Sequence, residues 1–259
     1  MPPILGKKLC KINGKGIEYA TSGDGDPAVL FIHGGGSVNM DSWDKVYSLT
    51  KKLTRVFAYN RFGDGNSDQV NEPQTGKRVV ETLRQLLQYN KVIAPYVLVG
   101  HSFGGLYANL FARLYPIEVA GVVLVESSHP DQAGMMREKR GILETIYFLT
   151  YRLIVIIFAR LNPSKGSELI SFDDTASQIN RAGPFPNVPL IVVTAGKRSA
   201  IFATNEEIKK IELLQKDLST MSPQGKQVIA QKSGHCIQDN EPVIVVKAIH
   251  EIIKSVKVG

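Results

Sequence analysis

The residues whose types and spacing are best suited to chemistry surround Ser102, which lies between Gly100 and Gly104 in the pattern G-x-S-x-G. An apolar run at residues 96–99 precedes it, and residues 106–114 follow with the spacing of a helix. A tight turn from a strand into a helix exposes a serine hydroxyl as a nucleophile, and side chains at the flanking glycine positions would clash in it. The segment therefore predicts a nucleophilic serine.

A serine hydroxyl needs a base to take its proton, and histidine is the side chain whose pKa lies near neutrality. Of the five histidines, His101 is next to the serine, but its side chain must point away at such a turn; His250 belongs to the last helical pattern. His235 follows the last strand signal and precedes that helix. Because active sites of open α/β sheets gather at the carboxyl edge of the strands, we predict that His235 is the base.

Strand and helix signals alternate along the chain, which predicts a mostly parallel sheet covered by helices on both faces. We expect strands at 16–20, 28–32, 55–59, 96–99, 119–125, 188–194 and 227–231, and helices at 76–89, 205–218 and 242–256, the last with Asn240 as its N-cap. The alternation stops between residues 129 and 186, a stretch too long for a loop. We therefore predict an inserted helical cap at 129–186 and a core formed by 1–128 and 187–259.

Composition limits the partners and the compartment. The 259 residues are 43% apolar and carry a net charge of +7, with Lys and Arg scattered and without a nucleic-acid motif, so we expect no nucleic-acid partner. The two cysteines predict no disulfide framework, and no cluster has the spacing of metal ligands. The N-terminal residues lack the apolar core of a signal peptide, which favours the cytoplasm. We expect neither a metal nor a cofactor.

Residues 141–161 approach the length of a membrane span, but Glu144 lies near their start and Arg152 in their middle. The uninterrupted apolar stretch 153–159 is much shorter than the roughly 20 residues that a span needs. We predict an apolar helix of the cap rather than stable insertion into a membrane. Peripheral contact of this segment with a lipid surface stays open.

Four motifs in this order make the chain resemble the α/β-hydrolase family. Residues 33–36 (His-Gly-Gly-Gly) resemble the family's oxyanion loop, and 60–67 resemble its Asp-Arg-x-Gly-x-Gly-x-Ser segment, with Asn60 in place of the usual Asp. Residues 100–105 resemble the nucleophile turn, and 233–235 (Ser-Gly-His) resemble the histidine loop. The resemblance extends over the chain outside the cap and implies the α/β-hydrolase fold.

The resemblance also implies an oxyanion hole made of two backbone amides. By the geometry of the turn, one belongs to Phe103, the residue after the nucleophile. The family pattern places the other just after the His-Gly pair, so we expect Gly35, with Gly34 as the second choice. His33 is expected to be a buried residue that braces this loop.

The third member of the catalytic set should be a carboxylate that orients the histidine. In the family it usually follows the strand at 188–194, but residues 195–199 contain no carboxylate. Some members carry the acid after the strand that follows the nucleophile helix, and there Glu126 lies at the end of the apolar run 119–125. We therefore predict Glu126 as the acid, with Asp131 as the alternative.

These residues together predict a serine hydrolase that forms an acyl-enzyme and cleaves a small or medium apolar carboxylic ester. The apolar residues of the cap either line the acyl pocket or are simply the core of the lid. Ser102 argues against dehalogenase and epoxide hydrolase chemistry, since those relatives carry an aspartate at this turn. A small-ligand receptor with little or no turnover, a cofactor-free perhydrolase, and a hydrolase of C–C bonds, lactones or N-terminal proline peptides stay open as alternatives.

Overall fold

The computed structural model describes residues 4–36, 38–132, 153, 157, 159–198 and 204–258. Within these residues, eight strands form one sheet: β1 (Lys8–Ile12), β2 (Lys15–Ser22), β3 (Ala28–Ile32), β4 (Val56–Tyr59), β5 (Tyr96–His101), β6 (Val119–Val125), β7 (Leu190–Ala195) and β8 (Gly225–Ala230).

The strands alternate with helices along the chain. The described α-helices are α1 (Asp44–Thr50), α2 (Gly76–Tyr89), α3 (Phe103–Leu114), α4 (Pro163–Ile170), α5 (Phe172–Arg181), α6 (Asn205–Leu218), α7 (Ile237–Asn240) and α8 (Pro242–Val258). Two short 3-10 helices, Met40–Trp43 and Pro116–Glu118, precede α1 and β6.

The spatial order of the strands is β1-β2-β4-β3-β5-β6-β7-β8. The pairs β1–β2 and β2–β4 are antiparallel, and every later pair is parallel, which confirms the mostly parallel sheet. Strands β3, β5 and β6 are buried along their whole length, as expected where helices cover both faces. Their carboxyl ends therefore lie side by side at one edge.

Each face of the sheet has its own hydrophobic core. On one face, Leu83 of α2 and Leu106 of α3 pack with Leu30 and Leu98 of the central strands. On the other face, Val46 of α1 and Ile249 of α8 pack with the alternate residues of the same strands. Because successive residues of a strand point to opposite faces, continuous apolar strands supply both cores.

Helix boundaries follow the sequence pattern closely. Helices α2 and α6 begin and end where the periodicity predicts, whereas strand β1 was not predicted. The expectation that Asn240 caps the last helix is wrong, because Asn240 is the final residue of α7 and Glu241 separates it from Pro242. None of the helices formed by the described residues is long and apolar enough to cross a membrane.

Two helices of the predicted cap, α4 and α5, are described. Helix α5 packs against α2 and α3. The start of α2 is joined to it by two hydrogen bonds, from Gly76 N–H to Thr175 Oγ1 (3.0 Å) and from Lys77 N–H to Gln178 Oε1 (2.7 Å). Most of residues 129–162, with the apolar segment, lie outside the described residues, so the division into core and cap stays a prediction.

Candidate active site

Ser102 lies between β5 and α3 with φ 51° and ψ −120°, in a backbone region that L residues rarely adopt. The neighbouring glycines leave no space for side chains. A Cβ on Gly100 would lie 2.6 Å from the carbonyl oxygen of Gly104, and one on Gly104 would lie 2.3 Å from that of Ile32. The glycines of this turn are therefore required by close backbone contacts.

The end of β6 is joined to this turn by two backbone hydrogen bonds. Ser102 N–H donates to Val125 O (3.2 Å), and Ser128 N–H donates to Ser102 O (3.0 Å). Glu126 follows Val125 in the chain, so the backbone of the candidate acid lies next to the backbone of the candidate nucleophile.

The His235 loop packs against the residue that precedes the serine. His101 Nε2 lies 3.0 Å from His235 O, and the two imidazole rings are 4.8 Å apart. Since a carbonyl only accepts, Nε2 of His101 carries the proton. Burial lowers the pKa of His101 to about 4, so its ring is neutral near pH 7. The buried His101 side chain therefore packs against the His235 loop.

His235 is exposed as a residue, yet partial desolvation of its ring lowers its pKa. The charge of Glu126 acts in the opposite direction and raises this pKa, whereas Arg198 lowers it further. The structure thus brings Glu126, His235 and Arg198 into one electrostatic group at the carboxyl edge of the sheet.

Glu126 is buried and has φ 41°, a left-handed conformation that is uncommon for a residue other than glycine. Its Oε2 accepts from Ala195 N–H (2.7 Å), and its Oε1 lies 2.8 Å from Arg198 Nη1. Sequence reasoning missed Arg198, although the segment after β7 that lacks an acid contains it. Both partners of this carboxylate, Ala195 and Arg198, lie at or just after the end of β7, which is the position where the family usually carries its acid.

The candidate oxyanion loop, residues 33–36, lies directly against the Ser102 turn. A Cβ on Gly34 would lie 3.5 Å from Ser102 Cβ, and one on Gly35 would lie 3.2 Å from Phe103 Cβ. The backbone of the loop therefore packs closely against the serine turn, with the candidate donors Gly35 and Phe103 as neighbours.

His33 is fully buried beneath this loop. Its Nδ1 donates to Gly34 O (2.8 Å), and its Nε2 lies 3.6 Å from Asp64 Oδ2. Burial and the nearby Arg61 hold the pKa of His33 well below its usual value. These contacts agree with the expected bracing role.

Asn60, which departs from the family pattern, is matched by a carboxylate on a different strand. Its Oδ1 accepts from Met40 N–H (2.7 Å), and its Nδ2 donates to Glu18 Oε2 (2.6 Å). Glu18 Oε1 in turn accepts from Asn66 Nδ2 (2.6 Å). Although burial acts to raise it, these hydrogen bonds lower the pKa of Glu18. The carboxylate of this region is therefore supplied by Glu18 of β2 and not by position 60.

The alternative acid, Asp131, is exposed and faces His129, with 3.8 Å between Asp131 Oδ2 and His129 Nδ1. His129 Nε2 is in turn 3.1 Å from Asp217 Oδ2. This cluster joins the end of β6 to α6 and involves neither Ser102 nor His235. Cys236, the residue after His235, is exposed.

Within the described ranges, no three His, Cys, Asp or Glu side chains are grouped to hold a metal ion. A cavity of about 520 Å³ lies between α6 and the edge of β7 and β8, and its described lining contains none of the candidate catalytic residues. The chemistry available at the site is that of a serine hydroxyl, an imidazole, a carboxylate and backbone amides.

Comparison with protein families agrees with this architecture. A family model described as alpha/beta hydrolase fold matches residues 27–162, which is more than half of the chain. The chain belongs to the alpha/beta hydrolase fold family. The match includes the Ser102 turn, the loop at 33–36 and Glu126, and ends before His235.

Several known proteins are similar to this chain. The uncharacterized protein YqjL of Bacillus subtilis is 26% identical over 230 residues, which cover 89% of this chain and 85% of that protein. The bifunctional esterase/perhydrolase DCH of Acinetobacter calcoaceticus is 32% identical over 120 residues, or 46% of this chain and 43% of that protein. The structure of a thermophilic esterase from Thermogutta terrifontis superposes with a TM-score of 0.66 at 19% identity, covering 97% of this chain and 99% of that chain.

Proposed function

We propose that this alpha/beta hydrolase is a serine hydrolase that cleaves a small or medium apolar carboxylic ester through an acyl-enzyme. The observation that carries the proposal is the backbone of Ser102, at φ 51° between β5 and α3, with residues 33–36 packed against it. A serine held in this way projects its hydroxyl from the sheet edge beside the amides of Gly35 and Phe103.

In the first step, Ser102 Oγ attacks the acyl carbonyl while His235 takes the hydroxyl proton. The carbonyl oxygen becomes an oxyanion, which the amides of Gly35 and Phe103 stabilise. The bond to the alkoxy group then breaks, and the imidazolium of His235 gives its proton to the leaving alcohol. The acyl group remains on Ser102.

In the second step, a water molecule attacks the acyl-enzyme while His235 takes one of its protons. The same two amides hold the second oxyanion. When the bond to Ser102 Oγ breaks, His235 returns the proton to the serine, and the carboxylic acid leaves.

Glu126 stabilises the imidazolium that forms in both steps. Support for this role comes from its electrostatic effect on His235, whose pKa it raises. A carboxylate in this position favours the charged form of the ring, which is the form present in the transition state.

The substrate class rests on the apolar residues of the sequence at 141–161 and on named relatives. The Thermogutta terrifontis protein is named as an esterase, and the Acinetobacter calcoaceticus protein as an esterase/perhydrolase. The second name favours one further candidate, perhydrolysis, in which hydrogen peroxide instead of water attacks the acyl-enzyme and a peracid leaves.

The test is a panel of p-nitrophenyl esters of graded acyl length, run on the wild type, on Ser102→Ala and on Glu126→Gln. We expect Ser102→Ala to lose at least about 10³-fold in kcat, and Glu126→Gln to lose about 10²–10⁴-fold. Ser219→Ala, at the exposed end of α6, is the matched serine control and should keep full activity. Full activity of Ser102→Ala contradicts the proposal.

Labelling with a fluorophosphonate separates an enzyme from a receptor on the same fold. We expect Ser102 to be labelled in a protein that turns over esters repeatedly. Labelling of Ser102 without ester or peroxide-dependent turnover favours the receptor and contradicts the proposed hydrolysis. Addition of hydrogen peroxide and acetate to the wild type then reveals any perhydrolase activity.

A further inference from the structure

The peptide group between Gly34 and Gly35 has its carbonyl held by two donors. Gly34 O accepts from Arg61 Nη2 (2.7 Å) and from His33 Nδ1 (2.8 Å). A trans peptide is planar, with its C=O and N–H pointing in opposite directions. Whatever fixes the carbonyl of Gly34 therefore also aims the amide of Gly35, which is the proposed oxyanion donor.

Arg61 is the stronger of these two donors because it is charged and rigid. Its side chain is 4% exposed, and besides Gly34 O it binds His33 O through Nη1 (2.8 Å). One planar guanidinium thus holds two successive carbonyls of the oxyanion loop. The position of Arg61 sets the position of the loop.

The position of Arg61 is fixed in turn by Glu168, which lies on α4, more than a hundred residues away. Glu168 pairs with Arg61 Nε, and its Oε2 lies 3.1 Å from Nη2. The Tyr107 hydroxyl, on α3, donates to Glu168 Oε1 (2.8 Å). All three side chains are buried. Because it is paired with both Arg61 and Tyr107, the buried Glu168 carboxylate holds the guanidinium in one orientation.

The charge of Glu168 also offsets the cost of burying Arg61. Burial acts to lower the pKa of Arg61, but the carboxylates of Glu168 and Asp64, with Glu168 the larger contributor, act in the opposite direction, and the pKa is raised. Without that charge, Asp64 would be the carboxylate left to compensate the buried guanidinium, and the most direct relief is a shift of Arg61 toward Asp64 or water and away from the loop carbonyls.

We propose that Glu168 is a positioning residue for the oxyanion hole: it orients Arg61, which holds the Gly34–Gly35 peptide and thereby aims the Gly35 amide at the reacting oxygen. The proposal rests on the proposed ester hydrolysis. It makes the Glu168 carboxylate on α4 a condition for full catalysis, acting through Arg61 rather than on Ser102 directly.

The decisive variant is Glu168→Gln, which keeps the size of the side chain and an acceptor for Tyr107 but removes the charge. An oxyanion hole acts mainly in the transition state, so its misalignment lowers kcat and leaves KM nearly unchanged. Removal of one donor costs about 10²–10³-fold, and partial misalignment should cost about 10–100-fold in kcat. We expect KM to stay within about threefold.

Ser167→Ala is the matched control on the same helix. Ser167 Oγ accepts from Gln74 N–H (2.8 Å), so this variant removes a bond that seats α4 without touching Arg61. We expect its kcat to stay within about twofold of the wild type. A loss of kcat in Ser167→Ala equal to that in Glu168→Gln would show a merely structural role and overturn the proposal.

Tyr107→Phe keeps the inference testable if Glu168→Gln does not fold. It retains the Arg61–Glu168 pair and removes one hydrogen bond to Oε1, so we expect a smaller loss, about 3–10-fold, in kcat and in the rate of Ser102 phosphonylation. Thermal melting identifies the folded variants. An unchanged kcat in folded Glu168→Gln, or failing that in Tyr107→Phe, overturns the proposal.

The two proposals fail in distinguishable ways. If wild-type Ser102 is not labelled by a fluorophosphonate and esters are not hydrolysed, the proposed function itself is wrong. If Ser102 is labelled and Ser102→Ala is inactive while Glu168→Gln turns over like the wild type, only the positioning role of Glu168 is wrong.

Discussion

Arg198 Nη1 lies 2.8 Å from Glu126 Oε1, so the candidate acid is held by a cation at the same edge of the sheet as His235. The Arg198 side chain is 14% exposed. Its Nε and Nη2 have no hydrogen-bond partner among the described residues. Partial desolvation of the ring is the main reason why the pKa of His235 is lowered, and Arg198 lowers it further, against the effect of Glu126. Arg198 therefore weakens the base while it orients the acid.

Replacing Arg198 with Met should raise the pKa of His235. The acid limb of kcat/KM against pH reports this pKa in the free enzyme, so it should move to higher pH. The measurement is kcat/KM for a short p-nitrophenyl ester between pH 4.5 and 8.5. Lys197→Met, which removes the exposed neighbouring cation, is the control and should leave the limb in place. A limb that moves to lower pH in Arg198→Met contradicts this assignment.

Restoring the family's aspartate at position 60 should destabilise this protein. In Asn60→Asp, the donor to Glu18 Oε2 becomes a second carboxylate at hydrogen-bond distance in a buried site. We expect the free energy of unfolding at pH 7 to fall by about 2–4 kcal/mol in a urea titration.

The double variant Glu18→Gln/Asn60→Asp supplies the control for this prediction. The new amide at position 18 would donate to the new carboxylate at position 60, and its oxygen would still accept from Asn66 Nδ2, but the bond from Asn66 N–H would be lost. Part of the lost stability should therefore return. Simple additivity of the two single variants would mean that Glu18 and Asn60 are not coupled, and it would contradict the 2.6 Å contact between them.

The buried His101 should make stability depend on pH. Its pKa is about 4 in the folded protein, against an unperturbed value near 6.5, so between these values only the unfolded chain binds the proton. Stability from this group is complete above pH 6.5 and is lost as the pH falls toward 4. A shift of this size is worth about 3 kcal/mol.

The test compares the wild type with His101→Gln, which can still donate to His235 O. Denaturant titrations at several pH values between 4 and 7 give the slope of the unfolding free energy. We expect a shallower slope in the variant, with the difference confined to pH 4–6.5. Identical slopes would mean that His101 takes up its proton equally well in both states. His33, also buried with a lowered pKa, contributes a slope of the same sign to both proteins.

Local chemistry explains which features were predictable from the sequence. The pattern at 100–104 predicts the Ser102 turn because only glycine tolerates backbone contacts of 2.3–2.6 Å at those positions. Helix α2 was predicted to the residue because its buried side chains recur with helical spacing. Strand β1 was not predicted, since it is short and two of its five residues are buried.

The contacts of the candidate site were harder to predict because they join distant parts of the chain. Arg61 contacts Glu168, which lies 107 residues later in the sequence, and no local pattern around either residue predicts this contact. Arg198 pairs with Glu126 where the sequence showed only a missing carboxylate. The partner of Asn60 is Glu18, on an antiparallel strand outside the motif. Such pairs follow from the strand order, which the motifs alone do not provide.

Gly104→Ala is the sharpest test of the Ser102 turn, because two physical effects predict opposite signs. Gly104 lies in the first turn of α3, where alanine is intrinsically favoured over glycine by up to about 1 kcal/mol. However, the added Cβ would lie 2.3 Å from Ile32 O and 2.5 Å from His33 O. Both atoms belong to the backbone at the end of β3, so neither can move aside at small cost.

The steric effect should win, and Gly104→Ala should lose more than about 3 kcal/mol of stability together with its esterase activity. Gly183→Ala is the matched control, since no atom lies within 4 Å of its Cβ position and its stability should change by less than about 1 kcal/mol. Urea titration and ester turnover on both variants measure the two effects. A Gly104→Ala protein as stable and as active as the wild type would mean that β3 and the Ser102 turn are farther apart than the structure shows.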